Sequence, residues 1–212
     1  MTIQDDLKRI IQDHHLEDWL GAYPWLTGCL GDPSASIWFI GENPSMAGVE
    51  AEDKRSRTKS ENLQWNFHDG DRIFREAIVE AGLKSGLPEA EGGWRCYVTN
   101  AIKAPEIVAL RNEKKRKSRY WKEQAEIWLP VLQRQIDSGK PKVLVALGGQ
   151  VFKIVTYMKS LSLRCPPLEK IDHYSYVMFR PEVGSKRGPR HPDRILDFKR
   201  SIHALAQRYM PN

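Results

Sequence analysis

Cysteine is scarce in this chain: three residues among 212, Cys29, Cys96 and Cys165, odd in number and far apart. No C-x-x-C pair occurs, so neither a zinc ribbon nor a disulfide framework is supported, and three reduced thiols are expected. Long apolar runs are missing as well, and none approaches the ~18 residues that cross a bilayer. The first stretch, MTIQDDLKRIIQDHH, is polar and contains acids, unlike a secretory signal, so a cytoplasmic location is expected. Neither G-x-G-x-x-G nor G-x-x-x-x-G-K-[ST] is present, which leaves a small-molecule nucleotide hydrolase or transferase without support. Internal repeats and low-complexity stretches are also lacking.

What is present describes a globular protein: 41% hydrophobic and 28% charged residues, in a length that suits one substantial core. A single domain over 1–212 is expected, with an N-terminal helical extension at about 1–30. The net charge of +6 favours an anionic partner, and its distribution says more than its total. Lys54-Arg55-Ser56-Arg57-Thr58-Lys59 places four positive charges in six residues, and the run RNEKKRKSR from Arg111 to Arg119 carries six bases and one acid. Lys186, Arg187, Arg190 and Arg194 form a third group. A lone charge run is commonly a solvated face. Three runs that each follow an expected strand would gather at one edge of a sheet, where phosphates can be held.

Ile3, Leu7, Ile10, Ile11, Trp19 and Leu20 have helical spacing over 3–20, and 21–36, rich in glycine and proline, is a connector. Ile37-Trp38-Phe39-Ile40 is a buried strand bounded by Pro33 and Gly41. After a polar loop over about 45–70, Ile73, Phe74, Ala77, Ile78 and Ala81 mark a helix capped by Gly82. Tyr97-Val98-Thr99-Asn100-Ala101-Ile102 is a second strand, and Trp121, Ala125, Trp128, Leu129, Leu132 and Ile136 line the inner face of a long helix. Val143-Leu144-Val145-Ala146-Leu147 is a third strand stopped by Gly148-Gly149, followed by a helix over about 150–159. A fourth strand is expected within 168–180, and a last helix over about 192–208. Strands alternating with helices imply an α/β fold: a three-layer α/β/α sandwich around a four-stranded, mainly parallel sheet.

In such a sheet, ligands bind outside the carboxyl ends of the strands. Gly41-Glu42-Asn43-Pro44 stands at one of these ends and offers both a carboxylate and a carboxamide, which suits the handling of a water molecule. Asn-Pro is equally an ordinary turn signal. The motifs that follow in the chain add to the first reading.

Gly41-Glu42-Asn43-Pro44-Ser45 is similar to the water-activating motif of the uracil-DNA glycosylase superfamily, combining Glu42 of its G-E-x-P-G pattern with Asn43 of its G-x-N-P-G pattern. Phe67, followed by Asp69-Gly70, resembles the segment whose aromatic ring stacks on the flipped base. Val98-Thr99-Asn100-Ala101-Ile102-Lys103 resembles the I-T-N-x-x-K strand whose Asn bonds uracil, and 143–149 resembles the third strand with its L-G-G end. His173-Tyr174-Ser175 is the nearest match to the final H-P-S motif, with Tyr174 replacing proline. The resemblance covers roughly 35–205. The iron–sulfur branch of that superfamily needs four cysteine ligands, and Cys29, Cys96 and Cys165 do not fall in that pattern, so no metal or other cofactor is expected.

The resemblance implies a DNA glycosylase that hydrolyses the N-glycosidic bond of uracil or a related deaminated base by base flipping and water attack at C1′. Glu42, Asn43 and His173 are the implied catalytic residues, with the roles of Glu42 and Asn43 in holding the water left open. Gly41, Phe67, Asn100 and Ser175 would bind the base. Lys54, Arg55, Arg57, Lys114, Lys115, Arg116, Lys186 and Arg187 would contact DNA phosphates. His191, which is followed by Pro192, is a second candidate for the leaving-group histidine, set aside because the residues before it (GSKRGPR) cannot form a buried strand. The implied partner is DNA, with no membrane, and the expected state is a monomer. The competing implication is a nucleic-acid-binding protein that keeps the fold without the chemistry, to which the Tyr174 replacement points. Neutralising Lys114, Lys115 and Arg116 together is expected to weaken DNA binding and reduce its salt slope, read by titration at several ionic strengths.

Overall fold

The computed structural model describes residues 29–44, 69–88, 90, 92–103, 114–177 and 192–210, together with Arg9, Gln12 and Asp13. Of the expected N-terminal helix only Arg9, Gln12 and Asp13 are described, and they are helical; the 45–68 loop and most of the third basic group lie outside the described residues.

From residue 29 onward the described residues form five strands and five helices, alternating from the second strand to the first of the two final helices. They are β1 (Leu30–Gly31), β2 (Ile37–Gly41), α1 (Asp69–Glu80), β3 (Tyr97–Asn100), α2 (Lys114–Gly139), β4 (Val143–Leu147), α3 (Gly149–Leu161), β5 (Leu168–Ile171), α4 (Tyr174–Val177) and α5 (Pro192–Tyr209). The sheet order is β1-β3-β2-β4-β5. Every pairing is parallel except β1 with β3, which aligns Leu30 with Val98 and Gly31 with Tyr97.

The sheet is therefore mainly parallel, as expected, but has five strands where four were anticipated. The fifth is β1, only two residues long inside a segment rich in glycine and proline. That is too short to show any alternation. Gly31 makes the pairing possible: its φ of 89° is disfavoured for side-chain-bearing residues, and a Cβ would run into the Cys96 carbonyl. The second difference lies in 168–180, where the strand stops at Ile171 and Tyr174–Val177 form a single helical turn.

Strand alternation sorts the core into two layers. Trp38, Ile40, Tyr97, Leu144 and Ala146 face α2 and α3, meeting Trp128, Leu132, Ile154 and Met158. Ile37, Phe39, Val98, Val145 and Leu147 face the other way, against Phe74, Ile78, Phe198 and Ile202 of α1 and α5. Both faces of β2 and β4 are fully covered, which explains their unbroken apolar sequences. The chain leaves β2 through α1 toward β3, and leaves β4 through α3 toward β5 in the opposite direction. The carboxyl ends of β2 and β4 thus flank the crevice where the winding reverses.

Trp128 is wholly buried between α2 and the sheet, and its indole N–H donates to Gln124 Oε1 at 3.1 Å. Trp128→Ala is expected to lower stability by about 3–5 kcal/mol, measured by urea denaturation, because it opens a cavity in a layer packed from both sides.

Candidate active site

At the end of β2 the chain is stitched to the end of β3 beyond the last strand residues. Gly41 pairs with Asn100 in register, the Ala101 N–H donates to the Gly41 carbonyl at 2.9 Å, and the Ile102 N–H donates to the Glu42 carbonyl at 2.9 Å. The backbone of the 41–44 turn is thereby fixed against the strand that carries Asn100. Gly41 has to be glycine for a steric reason, since a Cβ there would collide with Asn100 Oδ1. Asn100 and Gly41 both present to the α1 side of the sheet, where Asn100 is partly exposed and Pro44 buried.

Behind Asn100, on the α2 side, sits a buried polar cluster. Lys103, 2% exposed, donates from Nζ to Thr99 Oγ1 at 2.8 Å, to the Asn100 carbonyl at 2.5 Å and to Gln135 Oε1 at 2.6 Å. An ammonium has three N–H donors, and all three are used. Gln135 Nε2 reaches Tyr97 Oη at 3.4 Å, while Cys29 Sγ lies 3.0 Å from Thr99 Oγ1. Burial pushes the Lys103 amine down to about 8. Its charge is tolerated because each hydrogen bond to it is charge-assisted. The effect on the site is mechanical: the peptide that follows Asn100 is clamped from the far face of the sheet.

The third component enters from β4 and β5. Gly148, which ends β4, has φ 96° and donates its N–H to the Ile171 carbonyl at 2.8 Å. A Cβ at Gly148 would stand 3.1 Å from His173 Cβ, so the glycine creates room for His173, two residues past β5. The Ser175 N–H donates to His173 Nδ1 at 3.1 Å, and Ser175 Oγ lies 2.6 Å from the same nitrogen. A backbone N–H can only donate, so Nδ1 is unprotonated and the ring proton resides on Nε2. Burial pushes the imidazole down to about 4, which makes it neutral at physiological pH. A neutral ring with a proton on Nε2 is a hydrogen-bond donor that holds no full charge.

Of the residues singled out in the sequence, Gly41, Glu42, Asn43, Asn100, His173 and Ser175 all stand at the carboxyl ends of β2, β3 and β5. Ser45, Phe67, Lys54, Arg55, Arg57, Lys186, Arg187 and His191 lie outside the described residues. Lys114, Lys115 and Arg116 form the first turn of α2, of which only the backbone is described. Residues 114–119 of the run are thus helical, and 111–113 lie outside the described residues. Sequence reasoning missed Gln135 and Asp71. Gln135 was detectable as a polar residue on the stripe of Trp128, Leu132 and Ile136, and Asp71 as one turn before Phe74 on the same face of α1.

Among the described residues, no group of three or more His, Cys, Asp or Glu is arranged to hold a metal ion, and no helix is long and apolar enough to cross a membrane. No curated protein matches the chain in a sequence comparison. The model of the Uracil DNA glycosylase superfamily matches residues 30–198, a span that includes every strand and the sites at 41–44, 100 and 173–175.

The Lys103 amine has a lower pKa folded than the 10.5 of a free lysine, so between about 8 and 10.5 the unfolded chain binds more protons. This group's contribution to stability therefore rises with pH across that window and is smallest below it. Denaturant midpoints measured from pH 7 to pH 10.5 are expected to show this rise as the difference between wild type and Lys103→Met.

Proposed function

The chain belongs to the uracil-DNA glycosylase superfamily, and from this premise we propose that it hydrolyses the N-glycosidic bond of uracil or a related deaminated base in DNA. The observation that carries the reading is the meeting of Gly41 with Asn100 beside a turn bearing Glu42 and Asn43, with a neutral His173 donor just past the end of β5, on the same carboxyl edge of the sheet beyond β4.

Each group answers one demand of the reaction. The base has to leave the stack before its bond is accessible. A carboxamide then reads a uracil edge with one side chain, accepting from N3–H through Oδ1 and donating to O4 through Nδ2. Gly41 leaves Asn100 the space to do so, and Lys103 holds the peptide behind it. As the bond to C1′ lengthens, negative charge develops on the departing pyrimidine. His173 Nε2–H donates to its O2, a stabilisation that depends on a donor oriented before the charge appears. The same lengthening leaves positive character on the sugar, which a carboxylate at Glu42 favours electrostatically. Glu42 or Asn43 aligns the water that attacks C1′ from the opposite side.

Phe67 supplies a π-face to the extruded base in this reading, and the basic groups at 54–59, 111–119 and 186–194 hold phosphates. The enzyme acts as a monomeric single domain in the cytoplasm, without a metal or other cofactor.

Incubation with single- and double-stranded oligonucleotides carrying uracil, hypoxanthine or xanthine, followed by alkaline cleavage at abasic sites, tests the proposal. DNA binding without cleavage at any of these bases would assign the chain to the binding role instead. In the active case, Asn100→Ala is expected to lower the single-turnover rate by about a hundredfold while leaving DNA affinity nearly unchanged, because affinity rests on the backbone. Equal losses in rate and affinity would make Asn100 a structural residue.

A further inference from the structure

Helix α4 is four residues long and follows directly on His173. So short a helix cannot hold itself together, and its order has to come from side-chain contacts. Tyr174 provides them. Its ring stacks on Phe74 of α1, with centroids 5.4 Å apart and planes 22° apart. Phe74 is fully buried and meets Phe39 of β2 edge-on at 5.2 Å. The other neighbour of Tyr174 is His173 itself, with ring centroids 4.2 Å apart and planes inclined by 31°. A column of four rings therefore runs from the centre of the sheet to the imidazole. Beyond the column, the Tyr174 hydroxyl is hydrogen-bonded to the carboxylate of Asp71, which is 5% exposed and lies one turn before Phe74 on α1. Burial and the Asp71 charge hold the phenol well above its ordinary value, so it stays a donor.

We propose that Tyr174, packed on Phe74 and His173 and tied to Asp71, is a positioning residue that locks the His173 imidazole in the orientation in which Nδ1 meets the Ser175 N–H, the bond that sets its tautomer. Ser175 fixes the edge of the imidazole through Nδ1, and Tyr174 fixes its face. Proline in the H-P-S motif restrains the backbone after the histidine through its own ring. Tyrosine leaves φ unrestrained but pins the same residue through a side chain anchored at both its face and its hydroxyl. Its presence at this position is thus a different solution to holding the donor rather than a sign of lost chemistry. The inference rests on the glycosylase reading for its effect on rate, but its geometric content stands apart from that reading.

The test uses the full chain with selectively labelled histidines, comparing wild type with Tyr174→Phe, Tyr174→Leu and Asp71→Asn. Imidazole 15N spectra at neutral pH report the tautomer of His173, assigned with His173→Gln, and single-turnover excision from uracil-containing DNA reports the consequence. Tyr174→Phe removes one oxygen and keeps the stack. It is expected to turn a single Nε2–H form into a mixture and to slow excision about ten- to a hundredfold, with DNA affinity nearly unchanged. Tyr174→Leu is expected to lose more, and Asp71→Asn, which retains an acceptor for the hydroxyl, to recover most of the wild-type rate and tautomer. A single Nε2–H form in both Tyr174 variants would overturn the proposal. So would a loss in Asp71→Asn with Tyr174→Phe intact, which would give Asp71 a role of its own. Should Tyr174→Leu not fold, Tyr174→Phe decides alone. If the wild type excises no base, the glycosylase reading fails, and the 15N spectra still decide whether Tyr174 fixes the ring.

Discussion

The arrangement depends on one close approach. β2 and β3 run side by side past their formal ends, and at the last paired position a glycine faces an asparagine. Because Gly41 has no Cβ, the Asn100 carboxamide can occupy space that any other residue would fill. The two hydrogen bonds from Ala101 and Ile102 to the Gly41 and Glu42 carbonyls then hold the turn and the carboxamide in one frame. A displacement of either strand end would move both groups together, so their relation is a property of the sheet rather than of a loop.

Two polar side chains of the site, Asn100 and His173, are supported from opposite faces of that sheet, and by different physics. Asn100 is backed by Lys103, Thr99 and Gln135 on the α2 side, through short hydrogen bonds to a buried ammonium. His173 is backed by Tyr174, Phe74 and Phe39 on the α1 side, through ring contacts anchored in the apolar core. Directional bonds suit the first task, because a peptide carbonyl has to be held at a point. Flat contacts suit the second, because an imidazole has to be held in a plane. Neither support needs a loop to close, which favours a site organised before the substrate arrives.

Charge follows the same economy. The imidazole is neutral because partial burial disfavours its charged form, and its proton is on the nitrogen that Ser175 does not contact. The buried ammonium faces away from the site and spends its donors on oxygen acceptors.

Much of this was legible in the sequence. Strands β2, β3 and β4 and the helices between them announce themselves through local runs and periodicity, as do the Gly41-Glu42-Asn43-Pro44 turn and Asn100 at the ends of apolar segments. Other features were not. Strand β1 is too short to show a pattern, the end of β5 at Ile171 falls in a mixed polar and apolar stretch with no glycine or proline to mark a stop, and nothing local links Asp71 to Tyr174. Tyr174 read in isolation is a departure from a motif; packed on Phe74 it becomes a support for His173. Period is a property of neighbouring residues, so the chain by itself determined the long strands β2, β3 and β4 and the helices α1, α2, α3 and α5. Partnership is a property of residues far apart in the chain, and only the tertiary structure, through the strand order β1-β3-β2-β4-β5 and the packing of α1 on α4, decided which of those residues meet.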